Sequence, residues 1–244
     1  MFPAAILCGG LAKRLGSVTA SVPKSLISIC GEAFLGHQLR LLRDRGIDEA
    51  VLCVGHLGHM IQDFAGDGSK FGLHLSYSED GQVLLGTAGA IKRALPFLGE
   101  CFFVIYGDSY LPCDYEEVAR QFNNTDARGL MTVYRNEGRF DSSNVEYEAG
   151  RIIRYDKRNR TPAMAFIDYG LGVFRRAAFR DVPGERPFDL ADVYAGLLAE
   201  DSLAAAEIGE RFYEIGSAQG IADLERYLCG KVTVAGQSHG ARQQ

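Results

Sequence analysis

No stretch of this chain approaches the roughly 20 consecutive apolar residues that a membrane-crossing helix needs, so a membrane is not among the expected partners. No tract of lysine and arginine stands out either. With 26 basic against 31 acidic residues the formal charge is -5, which argues against nucleic acid as a partner. Any anionic ligand must then be held by local cations. No cationic region with an apolar signal core precedes the first strand-like run. The six cysteines (Cys8, Cys30, Cys53, Cys101, Cys113, Cys229) form no C-x-x-C pair, and Cys8, Cys53 and Cys101 sit in strand-like runs where cysteine acts as a small hydrophobe. The expectation is a reduced, cytoplasmic protein without a zinc site.

Several motifs are missing as well. There is no internal repeat, no hexapeptide run of the β-helix kind and no linker rich in proline or serine. G-x-x-x-x-G-K-[ST] is absent, and the G-x-G-x-x-G spacing fails. The five histidines (His37, His56, His59, His74, His239) have no G-x-S-x-G elbow to serve. At 244 residues, 47% of them hydrophobic, the chain suits one α/β domain. We read 1–230 as that domain, in two halves over 1–135 and 136–230. The small, polar residues 231–244 read as a flexible tail.

What is present begins with Ile6–Lys24, ILCGGLAKRLGSVTASVPK. A short apolar strand, Ala4–Cys8, ends in Gly9-Gly10, and Lys13, Arg14 and Lys24 follow. Bare backbone beside three cations suits phosphate groups, because amides approach closely and the cations offset the charge. The first half then alternates. A helix is expected over Phe34–Arg45 and a buried strand over Ala50–Val54. A short helix near Leu57–Phe64 precedes a strand over Phe71–Tyr77. Thr87 is expected to cap a helix reaching Leu95, where Pro96 ends it. Cys101–Tyr106 (CFFVIY) reads as a central strand of a parallel sheet, and Asp114-x-x-Glu117 as a capping box for the next helix. Gly129–Tyr134 reads as a strand. Strand and helix alternating in this way predict a doubly wound α/β sheet. The second half offers a hairpin (Ser143–Tyr147 with Arg151–Tyr155), a strand over Met164–Phe174 and helices at Leu190–Leu198 and Ser217–Leu228.

Two further strings carry chemistry. Gly107-Asp108 closes the CFFVIY strand, and a carboxylate at the carboxyl end of a central strand stands at the mouth where such sheets bind ligands. Asp156-Lys157 follows the strand Arg151–Tyr155, and lysine is a compact charge suited to phosphate.

Taken together, Leu7, Gly9, Gly10, Arg14, Leu15, Pro23 and Lys24 resemble the signature L-x-G-G-x-G-x-R-L…P-K of the sugar-phosphate nucleotidyltransferase family, with Ala12 where the family has its third loop glycine. The resemblance runs to about Leu228. It implies a Rossmann-like mixed sheet of the GT-A kind with a small β-rich sugar-binding part, so that 1–135 would be the nucleotide-binding half and 136–230 the sugar-phosphate half. It also implies a nucleoside triphosphate and a sugar 1-phosphate as substrates, with Mg²⁺ as cofactor and a homo-oligomer as one possible state. Arg14 would hold the β- and γ-phosphates and Lys24 the α-phosphate, with Lys13 nearby. Asp108 would be one metal carboxylate. Glu214, in Phe212–Ser217 (FYEIGS), stands where the family has its second, usually an aspartate. The segment Gln82–Ala90 resembles the one over base and sugar. There Gly86 and Thr87 would face the nucleotide, and Glu79 or Gln82 is the candidate for reading the base edge. Lys157 would hold the sugar phosphate, with Tyr106, Asn144, Asp156, Asp168 and Gly170 around the sugar. Asp156 replaces a glutamate of the family pattern and Asp168 an asparagine.

Within the family, the short length resembles heptose 1-phosphate guanylyltransferases. The segment GDGSKFGLHLSYSED resembles short uridylyltransferases. The guanylyl reading is preferred by a narrow margin. A catalytically silent nucleotide-sugar sensor stays open because of Ala12, Asp156, Asp168 and Glu214. A glycosyltransferase would need D-x-D, which Gly107-Asp108-Ser109-Tyr110 lacks.

Overall fold

Three short runs, AAIL, EAVLCV and CFFVIY, are apolar on both faces and so must be covered on both. In the computed structural model, which describes residues 1–10, 21–81 and 83–238 (of 231–238 the backbone only), they lie side by side. Strand β1 (Ala4–Leu7) is followed by a small hairpin of β2 (Ser28–Ile29) and β3 (Glu32–Ala33) that leads into helix α1 (Phe34–Asp44). Next come β4 (Glu49–Val54), α2 (Gly58–Ala65), β5 (His74–Glu79), α3 (Gly86–Ala94) and β6 (Cys101–Tyr106). Strand β1 pairs in parallel with both β4 and β6. Leu7, Cys53 and Tyr106 therefore sit level at one edge.

The second half adds β7 (Ser109–Tyr110), α4 (Tyr115–Asn123), β8 (Gly129–Arg135), β9 (Val145–Glu148), β10 (Arg151–Tyr155) and the long β11 (Phe166–Arg175). The last elements are α5 (Leu190–Ala199), β12 (Leu203–Ile208), β13 (Tyr213–Glu214) and α6 (Ala218–Ser238). Strand β11 runs antiparallel to β6, β8 and β9, whereas β12 is parallel to β8. The described residues thus give one mixed nine-stranded sheet that draws strands from both halves of the chain. Side chains of α1, α2 and α4 (Leu35, Leu39, Ile61, Val118, Phe122) cover one face. Those of α3 and α5 (Ala88, Ile91, Val193, Leu197) cover the other. The expected doubly wound mixed α/β architecture is what forms.

Several local expectations are corrected. The strand expected over Phe71–Tyr77 starts only at His74. Gly68 and Gly72, with φ of +87° and +74°, close a tight turn over Ser69–Phe71 instead. Phe71 and Leu73 still point into the core, so a turn has mimicked the alternation of a strand. Thr87 is not a helix cap: α3 begins at Gly86. The Thr87 hydroxyl donates to Asp189 Oδ1 (3.1 Å) and accepts from the Leu190 amide (2.7 Å), binding α3 to the start of α5. Half of the capping box at α4 forms. Asp114 accepts from the Glu117 amide (3.1 Å), while the Glu117 carboxylate turns to Arg120. Strand β12 (LAAAEI) was not foreseen. The backbone of α6 is helical past Gly230, as far as Ser238. The reduced state expected of the cysteines holds for Cys8, Cys53, Cys101 and Cys113, but Cys30 and Cys229 form a disulfide, 199 residues apart in sequence. The bond ties α6 to the turn between β2 and β3.

Candidate active site

The level ends of β1, β4 and β6 build the floor of the site. The Cys8 amide donates to Cys53 O (2.8 Å) and the Gly107 amide to Leu7 O (3.0 Å), so the three strand ends are laced together. Gly107 must be a glycine: a Cβ there would stand 2.6 Å from Leu7 O. Gly9 lies close to the end of β4, where an added Cβ would be a tight 3.2 Å from the Gly55 amide. These ends, with Gly10, Gly86 and Thr87, line a cavity of ≈ 250 Å³. Its remaining walls include Lys24, Asp80, Tyr106 and Asp108. Leu7, Gly9 and Gly10 thus line one cavity together. Leu11–Ala20 and Gln82 lie outside the described residues, and with them the candidates Ala12, Lys13, Arg14 and Gln82.

Lys24 follows Pro23 in a tight turn over Lys24–Leu26, and its Nζ lies 2.6 Å from Asp108 Oδ2. Asp108 is fixed from behind, where its carbonyl accepts from the Ile215 amide (3.0 Å). Strands β7 and β13 pair antiparallel, placing Glu214 opposite Ser109. Lys24 also nestles against Gly216, whose absent Cβ would be 2.8 Å from the ammonium. One carboxylate oxygen of Glu214 accepts from the Gly216 amide and the other from the Ser217 hydroxyl, at the entry to α6. Burial, with the Asp108 charge adding to it, pushes the nearby Cys8 thiol up to about 12, which disfavours its thiolate.

Beyond Asp108 a second cavity, of ≈ 360 Å³, opens between β6, β11 and the loops around them. It shares Tyr106 and Asp108 with the first and is lined by Asn144, Lys157, Asp168, Gly170 and Glu214. Lys157 Nζ is 3.4 Å from the Tyr106 hydroxyl and 3.9 Å from Asp168 Oδ2. Asp168 is almost wholly buried, and burial raises its carboxyl above the usual range, opposed by Lys157 and by hydrogen bonds from the Gly170 amide (3.1 Å) and the Tyr155 hydroxyl (3.4 Å). Asn144 accepts from the Asp168 amide (2.9 Å). Gly170 has φ of +100°, a backbone that only glycine adopts cheaply. Asp156 does something else. Its carboxylate accepts from the Arg158 and Asn159 amides, both at 2.8 Å, and these bonds hold it down to about 2. It shapes the turn that carries Lys157 and is not among the lining residues of the cavity.

The family model described as nucleotidyl transferase matches residues 3–220. The chain belongs to that family. Among curated relatives of this chain is a mannose-1-phosphate guanylyltransferase catalytic subunit beta of Xenopus tropicalis, 29% identical over 220 residues. That match covers 87% of this chain but only 61% of the relative. A D-glycero-alpha-D-manno-heptose 1-phosphate guanylyltransferase of Campylobacter jejuni is 25% identical, covering 87% of this chain and 94% of the relative. Other relatives are named as uridylyl- and thymidylyltransferases. The crystal structure of HddC from Yersinia pseudotuberculosis with GMP-PN superimposes with a TM-score of 0.78 at 22% identity, covering 93% of this chain and all of that one. This similarity supports the fold.

By donor type, the Asp108 and Glu214 carboxylates fit a divalent cation. Mg²⁺ takes one or two carboxylates and fills its other positions with phosphate oxygens and water. Asp108 and Glu214 line one cavity, and Asp108 Oδ1 makes only a long contact (3.4 Å) with the Ser109 hydroxyl. No ready-made cluster of three or more metal-ligating side chains occurs among the described residues. Sequence reasoning missed Asp80. Glu79, its neighbour, is bonded by Gln62 (2.8 Å) at the edge, while Asp80 lines the first cavity and its carboxylate accepts from the Leu85 amide (3.4 Å). Burial raises the Asp80 carboxyl above its usual range. Its signal was its position just past β5, at the same sheet edge as Gly9 and Gly107. Arg160, on the wall of the second cavity, was missed too and carries no motif.

Proposed function

We propose that the protein transfers a nucleotidyl group from a nucleoside triphosphate to a sugar 1-phosphate, releasing pyrophosphate. The observation that carries this reading is the meeting of two cavities at Tyr106 and Asp108, with Lys24 on one side and Lys157 on the other. The triphosphate occupies the first cavity and the sugar phosphate the second. A phosphate oxygen of the sugar phosphate attacks the α-phosphorus in line. The bond from that phosphorus to the α,β-bridging oxygen breaks, and pyrophosphate leaves with its electron pair.

Lys24 meets the charge that shifts onto the α-phosphate, and Lys157 holds the incoming phosphate. Arg14, by its place in the family signature, holds the departing β- and γ-phosphates. Such a reaction needs positioning and charge stabilisation and no protein nucleophile. Mg²⁺ held by Asp108 and Glu214 would supply charge neutralisation and a template for phosphate oxygens. Asn144, Asp168 and Gly170 orient the sugar.

For the base and sugar, the reading favoured is guanylyl transfer to a mannose- or heptose-type 1-phosphate in the cytoplasm. Its support is the pair of guanylyltransferase relatives and the length shared with the heptose enzyme. A uridylyl or thymidylyl reading is supported by other relatives. The test is incubation with Mg²⁺, mannose or heptose 1-phosphate and each of GTP, UTP, CTP, dTTP and ATP, with products separated by anion exchange. A GDP-sugar formed fastest is expected. Another nucleotide sugar formed fastest replaces the base, and binding without any product supports the silent sensor.

A further inference from the structure

Helix α1 touches neither cavity, yet it carries a buried polar side chain with no role so far. Gln38 is 1% exposed. Its amide nitrogen donates to Tyr106 O (3.0 Å) and Ser109 O (2.8 Å), spanning the turn that holds Asp108. Its own Oε1 is buried without a hydrogen-bond partner among the described residues. A buried acceptor left unpaired is costly, so the side chain is oriented for its two donations.

The same helix grips the other half of the site. The Phe34 amide donates to Ile27 O (2.9 Å), and His37 Nε2 donates to Ile29 O (2.9 Å). Ile27 and Ile29 lie a few residues after Lys24, beyond the turn over Lys24–Leu26. Helix α1 therefore holds the Lys24 segment with one turn and the Asp108 loop with the next. Among the described residues, backbone bonds also tie that loop to Leu7 in β1 and to Ile215 just past β13. Gln38 is the side chain that joins it to α1.

From this we infer that Gln38 is a positioning residue, which sets the Lys24–Asp108 spacing and the aim of the Asp108 carboxylate toward a divalent cation. Only a primary amide places two uncharged N–H donors on two carbonyls from one group. Leucine supplies none, and glutamate would bring a second carboxylate against both oxygens. The inference rests on the transferase reading for its kinetic readout and on metal affinity for the other.

The test uses the full chain with Gln38→Leu and Gln38→Glu, each first shown to be folded by circular dichroism and thermal melting. Outer-sphere partners of metal ligands are worth about 10- to 100-fold in affinity or activity. Both variants should bind Mn²⁺, read by electron paramagnetic resonance, about 10-fold more weakly. They should lower kcat about 10- to 100-fold and leave KM for the sugar phosphate within about two-fold. A folded variant with wild-type kcat and Mn²⁺ affinity overturns the inference. So does a loss confined to melting temperature in both variants. If wild type turns over no substrate pair, the transferase reading fails alone, and the Mn²⁺ affinities still decide for or against Gln38.

Discussion

Lys24 and Asp108 form a partly shielded ion pair of 2.6 Å whose members face one cavity, so each charge is held ready by the other. Replacing Lys24 with alanine removes charge stabilisation from the transfer step without touching the core. The expected result is a fall in kcat of about 10²- to 10³-fold with an unchanged melting curve; near-normal turnover would remove Lys24 from the mechanism. Asp108→Asn should abolish activity or its dependence on Mg²⁺, and an unchanged metal titration refutes the ligand role. Asp168 allows a test without substrate. Burial raises its folded pKa, so the folded state holds the proton more tightly than the unfolded chain does. Its contribution to stability is then fully present below the unfolded value of about 3.8 and lost as pH rises through the folded value. Asp168→Asn, free of that loss, should raise the melting temperature at pH 7 and forfeit the gain as pH falls toward 4. A gain that does not change with pH would contradict this assignment.

At the scale of elements, the strongest signals were the simplest. β1, β4 and β6 are unbroken apolar runs, and α1 and α4 show regular stripes; each forms close to where its pattern places it. β12 escaped because LAAAEI is rich in alanine, a poor strand former, and becomes a strand only by lying against β8. Thr87 read as a cap because local patterns cannot see Asp189 and Leu190 arriving about 100 residues later. The disulfide had no spacing to betray it. The half-formed box at α4 predicts that Asp114→Ala costs about 1 kcal/mol in denaturant melts. Closing 199 residues, the Cys30–Cys229 bond should be worth about 2–5 kcal/mol. Cys30→Ala with Cys229→Ala, or reduction of the native chain, tests that figure by the same melts, and no change means that the bond is absent in solution.

At the scale of the molecule, the site lies where parallel β1–β4–β6 meets antiparallel β11. One strand edge presents the glycine turns to the first cavity, and the other side of β6 presents Lys157 and Asp168 to the second. The motif residues at strand ends were legible because the strands that aim them are local. Asp80, Arg160 and Gln38 were not, because their roles arise only when the sheet brings distant segments together. The account stands or falls on whether the two cavities act as one site. Pyrophosphate release, followed in real time with Mg²⁺ and the preferred triphosphate, tests this directly. Release that requires sugar 1-phosphate, and is lost in both Lys24→Ala and Lys157→Ala, is the predicted result. Release that ignores the sugar phosphate, or no release with any pair of substrates, would contradict it.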